Sequence, residues 1–207
     1  MPYLEYLPIG VLAYLLGSIP TGLIVGKLAG GIDVRYYGSG KIGAANILRT
    51  LGPGAFALVF IGDFLKGYLP VLLAQQLLGT SGAQVVAGLA ALAGHNWSVF
   101  LRFEGGRGVA TGIGGLYAMA PWEAALVTVV TVAVMLRSRY ISLGSVMGGV
   151  LIIPVMALAA FLGYERPDYL WYVVPGALVV VFQHRDNIER LRKGTERKLG
   201  EPAVSRS

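Results

Sequence analysis

Across its 207 residues the chain is 55% hydrophobic and only 14% charged, with a mean hydropathy of +0.65. A soluble domain of this length carries about 25% charged residues, so these proportions exclude an ordinary soluble fold and point to a polytopic membrane protein. The formal net charge of +6 is concentrated in a few segments, and the absence of cysteine excludes disulfides and thiolate chemistry.

The N-terminal stretch MPYLEYLPIG carries Glu5 and no basic residue before its apolar run, which predicts a retained span in place of a signal peptide. Apolar runs then predict about seven helices, at 4–28, 54–78, 83–101, 109–121, 122–137, 143–163 and 168–183. The fourth and fifth are short and meet at Pro121, leaving a broken hairpin or a re-entrant pair open, and length alone would also fit five full spans. The fold class expected is therefore an all-α polytopic membrane protein, one integral domain over 1–207 with a basic tail at 185–207. Small-xxx-small spacings at Gly22/Gly26, Gly26/Gly30 and Gly144/Gly148 predict close helix packing.

Basic residues set the expected orientation. With seven spans, one side holds Lys27, Arg35, Lys41, Arg49, Arg102, Arg107, Arg137, Arg139 and the tail from Arg185 to Arg206. The other holds only Arg166, with Glu5, Glu123, Glu165 and Asp168. The N-terminus is thus expected outside and the tail in the cytoplasm. Topology and attraction to anionic headgroups account for the tail's charge, and no array of base-stacking aromatics supports nucleic-acid binding.

Two segments combine bare backbone with cations. Gly38-Ser39-Gly40-Lys41-Ile42-Gly43 matches GxGxxG literally, but no strand precedes it and no βαβ unit follows, so a dinucleotide is not implied. If residues 44–51 begin a helix, Asn46 and Arg49 share a face beside that loop, and the free N–H groups at the helix start favour an anion. Gly105-Gly106-Arg107-Gly108, followed by Thr111, offers exposed amides, a bidentate guanidinium and a hydroxyl without the spacing of a nucleotide P-loop. Glu104 is expected to pair with Arg102 or Arg107.

Asp63 and Lys66, at i and i+3 within an apolar helix, are expected to pair or to face a polar cavity. His95, late in the third helix, is open to three roles: general base, hydrogen-bond donor to substrate, or a tie between helices. Ser142 reads as an N-cap of the sixth helix and Ser145 as a further donor. His184, Arg185 and Asn187 follow the seventh helix at the depth of both glycine segments. The histidines are too isolated for zinc, and no carboxylate cluster resembles a metal site.

Taken together these motifs resemble the bacterial acyl-phosphate-dependent glycerol-3-phosphate acyltransferase family over nearly the whole length. The likeness runs from Gly17–Gly22 through Asp33, Arg35, Gly38–Arg49, Asp63–Gly67, Gly94–Trp97, Gly105–Thr111 and Ser142–Ser145 to His184–Leu191. It implies an integral enzyme of the bacterial cytoplasmic membrane that moves a fatty acyl group from acyl phosphate to the 1-hydroxyl of sn-glycerol 3-phosphate, without metal or other cofactor. Residue by residue it implies a catalytic set of Arg49, Arg107, His184 and Asn187. The implied substrate-binding set is Ser39, Gly40, Lys41, Asn46, Gly105, Gly106, Gly108, Thr111, Ser142, Ser145 and His95. Where that family has Asn, Thr, Lys and Arg, this chain has Lys41, Ala45, Arg107 and Gln183; Lys41 and Arg107 keep or add positive charge, so anion binding is expected to survive. The competing class is an organic-anion transporter or channel, which predicts pseudo-symmetric halves. No internal repeat supports it. A lipid-binding scaffold would explain the charge asymmetry but not two phosphate-type loops.

Overall fold

The computed structural model describes residues 4–201, so the end of the predicted tail, including Arg206, lies outside the described residues. Among these residues the elements are helical, apart from one isolated β-bridge between Ser98 and Glu104. The helices are α1 (Tyr6–Ser18), α2 (Thr21–Gly30), α3 (Ala44–Leu78), α4 (Ser81–Asn96), α5 (Val109–Met119), α6 (Pro121–Ser138), α7 (Ile141–Phe161), α8 (Leu170–Gln183) and α9 (Arg185–Arg192). Four stretches, Tyr6–Gly30, Ala44–Leu78, Pro121–Ser138 and Ile141–Phe161, are long and apolar enough to cross a membrane. Large side chains such as Leu58, Leu69, Val129, Leu136, Val150 and Leu158 remain exposed on their outer faces, as lipid-facing surfaces require.

Two backbone breaks depart from uniform spans. The helix expected over 4–28 is interrupted at Pro20, and side chains satisfy the carbonyls exposed there. Ser98 Oγ donates to Ser18 O at 2.6 Å, and Lys66 Nζ donates to Ile19 O at 2.9 Å. Within α3, Gly52 turns to φ 83° ahead of Pro53, which cannot supply a helical N–H. A short helix over 44–51 is thereby set off from the long span that starts beside Pro53, matching the expected start near 54. The third predicted span stops at Asn96, not 101, because Val99–Leu101 forms a separate 3₁₀ turn and Arg102 and Phe103 take positive φ. The short fourth and fifth segments do meet at Pro121.

Glycine governs how closely the helices approach. At the α1–α4 seam, Gly17 lies on the Ala91 carbonyl and Gly94 on the Tyr14 carbonyl. At the α3–α5 seam, Gly67 lies on the Thr111 carbonyl and Gly114 on the Phe64 carbonyl, so a Cβ at either would strike backbone. The expected Gly144/Gly148 stripe seats α7 on Thr131 and Met135 of α6. The larger apolar cluster is built around Val71, Ala87, Ala91, Met156 and Tyr172, and a smaller one around Val34, Ile42, Ile47 and Val59 anchors the Gly38–Arg49 segment. Replacing Gly114 with Leu is expected to destabilise the protein by about 1–3 kcal/mol or more through overpacking against backbone. Thermal unfolding in detergent checks this, and a melting temperature equal to wild type would refute the seam.

Candidate active site

The first polar wall is a loop folded around one amide. Asn46, buried near the start of α3, accepts from Ser39 N at 3.0 Å and donates to the carbonyls of Val34, Tyr37 and Lys41 at 3.1, 3.1 and 2.9 Å. Its side chain therefore braces the loop. Asp33 adds a second brace, gripping Arg35 through Nε and Nη2, the shortest contact being 2.6 Å. Ser39, Lys41 and, one turn into the helix, Arg49 are left along the cavity.

The second wall is the glycine loop before α5. Gly106 N donates to His95 O at 3.0 Å, and a Cβ at Gly105 or Gly106 would collide with the backbone of His95 and Asn96 or with the His95 ring. Gly108 adopts φ 78° at the N-cap of α5. The tight path of this loop directs Arg107 to the cavity while Gly105, Gly106 and Thr111 lie behind it. Burial, reinforced by the charge of Arg190, pulls the Arg107 guanidinium down to about 10, so it stays charged at neutral pH.

The third wall comes from α7, the end of α8 and the tail. His184 makes an Nδ1–carbonyl contact to Val180 at 2.8 Å; a carbonyl only accepts, so Nδ1 carries the proton and Nε2 is an acceptor. Burial is the main cause that pushes this imidazole down to about 4, leaving it neutral at physiological pH. Ser142 is not the N-cap expected from sequence, since Tyr140 holds that position. Ser142 Oγ instead donates to Glu196 Oε1 at 2.7 Å, where Asn187 Nδ2 also donates at 2.6 Å, and Arg190 Nε donates to Oε2 at 2.7 Å. The tail is strapped over the mouth by Arg49 Nη2 to Arg197 O at 3.2 Å and by reciprocal bonds between Arg139 and Leu199. Ser145 Oγ returns to Ile141 O at 3.0 Å.

These walls enclose a cavity of about 140 Å³. Of the residues expected from sequence, Ser39, Lys41, Asn46, Arg49, His95, Arg107, Gly108, Ser142, Ser145, His184 and Asn187 line it; Gly40, like the second-wall residues named above, does not. Sequence reading missed Glu196, Phe56, Phe60, Met135 and Ile141, which also line it. The only signal for Glu196 was an acidic residue inside a basic run. Asp63 and Lys66 do pair, at 2.9 Å, and both are buried. His95 Nδ1 lies 3.7 Å from the same carboxylate, too far for a hydrogen bond. Glu104 forms no ion pair with Arg102 or Arg107 among the described residues. Arg49 Nε, Arg107 Nε and Asn187 Oδ1 are buried without a protein partner among the described residues.

A helical membrane fold with two arginines converging on a half-enclosed polar cavity defines an integral membrane protein built to hold anionic groups. Residues 7–194 match the family model described as glycerol-3-phosphate acyltransferase. The chain is 46% identical over 191 residues to the glycerol-3-phosphate acyltransferase of Rubrobacter xylanophilus, covering 92% of this chain and 93% of that one. It also superposes on crystal structures of PlsY (YgiH), an integral membrane glycerol 3-phosphate acyltransferase. In the glycerol 3-phosphate form the TM-score is 0.87 at 37% identity, covering 95% of this chain and 96% of that one. In the lysophosphatidic acid form the TM-score is 0.85 at 36% identity, with the same coverage. The chain belongs to the glycerol-3-phosphate acyltransferase family.

Glu196 gives a pH test of the third wall. Burial opposes its ionisation, but hydrogen bonds from Asn187, Ser142 and Arg190 prevail and hold the carboxyl below its ordinary 4.5. A carboxyl lowered on folding adds stability above its ordinary value, and that contribution is lost as pH falls through the lowered one. Glu196→Gln is expected to lower the melting temperature at neutral pH and to flatten its decline between about pH 5 and about pH 3. An unchanged melting temperature at neutral pH would show that the strap contributes nothing.

Proposed function

We propose that this protein transfers a fatty acyl group from acyl phosphate to the 1-hydroxyl of sn-glycerol 3-phosphate, releasing 1-acyl-sn-glycerol 3-phosphate and inorganic phosphate. The observation that carries this reading is the pair of buried, unpartnered Nε donors of Arg49 and Arg107 at one cavity, since both substrates bear phosphate. One phosphate binds at Arg107 and the N-terminus of α5, and the other at Ser39, Lys41 and Arg49. Asn46 acts by holding the Ser39–Lys41 backbone in place. The acyl chain occupies a second, apolar cavity of about 80 Å³, which shares Val109 and Ser145 with the polar one.

Acyl phosphate is already activated, so the residues chiefly align and neutralise. The glycerol oxygen attacks the acyl carbonyl, the carbonyl–phosphate C–O bond breaks, and the hydroxyl proton passes to a phosphate oxygen. Neutral His184, with Nδ1 committed to Val180, adds no positive charge beside the two phosphates and leaves the hydroxyl proton to the phosphate oxygen. With α4, α5 and α8 read as short spans the count is seven, and the concentration of basic residues on the tail's side supports a mouth facing the cytoplasm. A transporter reading gains nothing from the architecture, because the polar walls gather at one end of the helices.

Purified protein with acyl phosphate and glycerol 3-phosphate is expected to release phosphate and lysophosphatidate in equal amounts. Release without acylated product would refute the reaction. Arg49→Gln and Arg107→Gln should each lower kcat/KM by about 10²-fold. His95→Gln separates proton acceptors: near-normal turnover is expected, and a loss of about 10²-fold or more would make His95 the base.

A further inference from the structure

The apolar cavity has a measurable depth. Its lining runs from Val109 to Leu116 on α5, Thr131 to Ala124 on α6, Ser145 to Ile152 on α7 and Val180 to Val173 on α8. Each run advances seven residues away from the polar cavity, a rise of about 10 Å along a helix. An extended alkyl chain advances about 1.3 Å per carbon, the projection of a C–C bond of about 1.5 Å, so the cavity spans about eight carbons.

The far end is closed. Leu116, Ala124, Ile152, Tyr172 and Val173 are all buried and belong to the main apolar core. Tyr172 also bolts α8 to α5 through its hydroxyl on Gly112 O at 2.7 Å, and α7 packs along both α6 and α8. The side that remains is the gap between α5 and α6, which are joined at Pro121. Ile113 of α5 and Thr128 of α6 line the cavity and are both partly exposed there.

We propose that this cavity holds only the first eight or so carbons of the acyl group, that Ala124 sets its depth, and that longer chains leave past Ile113 and Thr128 into the bilayer. The assignment rests on the acyl-transfer reading above. It makes Ala124 a specificity-determining residue: the smallest of the buried side chains at the floor, and therefore the one whose enlargement shortens the space directly. It also separates two parts of one substrate. Proximal methylenes exchange water for protein, whereas distal ones lie in lipid or detergent both before and after binding and so add no further affinity.

The test uses purified protein in detergent with glycerol 3-phosphate and a series of acyl phosphates from butyryl to dodecanoyl. For wild type, kcat/KM should rise about fourfold per methylene up to octanoyl and then flatten. A rise that continues unbroken to dodecanoyl, or a profile flat from butyryl, overturns the proposal. Ala124→Leu should cut the octanoyl-to-butyryl ratio of kcat/KM by about tenfold, whereas mere misfolding lowers both rates together and leaves the ratio alone. An unchanged ratio overturns the proposal. Ile152→Ala, which deepens the floor instead, should move the break to longer chains, and a break that stays put also overturns it. Wild-type protein that acylates nothing at any chain length would instead overturn the acyl-transfer reading.

Discussion

A guanidinium removed from water loses hydration worth several kcal/mol, and a carboxylate placed beside it would restore stability while blocking any anionic ligand. The cavity is organised around that conflict. It is lined by two carboxylates, and each is engaged by partners other than Arg49 and Arg107. Asp63 is held by Lys66, and Glu196 accepts from Ser142, Asn187 and Arg190. The negative charges moderate the field of the pocket without capping the arginine Nε atoms. Glu196 is the carboxylate whose charge acts on both Arg49 and Arg107, so the hydrogen bonds that engage it keep it from closing on them as well as stabilising the fold.

The same requirement explains the backbone. Arginines on different helices converge only if the helices that carry them approach closely, and α3 and α5 do so backbone to backbone through Gly67 and Gly114. The break at Gly52 then lets residues 44–51 leave the axis of the long span and carry Arg49 over the cavity. At the other break, Lys66 serves two purposes, binding Asp63 and the Ile19 carbonyl. One buried ammonium thus joins the interruption in the first span to the cavity wall.

The helix pattern, the Pro121 junction, the short helix at 44–51 and the Asp63–Lys66 pair were legible because each follows from hydrophobic length, proline chemistry or the cost of a lone charge in lipid. Most of the cavity lining was legible too, as glycine and cations concentrated in an apolar chain. Asn46 was placed correctly but given a ligand's role, because a side chain's donors look the same in sequence whether they meet substrate or the backbone of Val34, Tyr37 and Lys41. Glu196 escaped for a different reason. Its partners, Ser142, Asn187 and Arg190, are brought to it by the return of the tail, and nothing in the local composition of a basic stretch signals that return. The Gly17–Ala91 and Gly67–Thr111 contacts were equally silent, since the carbonyl that a glycine admits lies on another helix.

The two cavities divide the substrate chemistry by polarity and meet at Val109 and Ser145. On the proposed reading, an acyl carbonyl with its phosphate among the cations and its chain among α5–α8 lies at that junction, whatever the chain length. Alignment there is fixed by two unlike interactions that cannot substitute for one another, charge on one side and apolar burial on the other. Lys41, Arg49 and Arg107 already supply the cavity's positive charge, and burial together with the charge of Arg107 keeps His184 neutral. On the proposed reading, a neutral imidazole leaves the phosphates to the arginines. On that reading the phosphate groups are the proton acceptors beside the reacting oxygen.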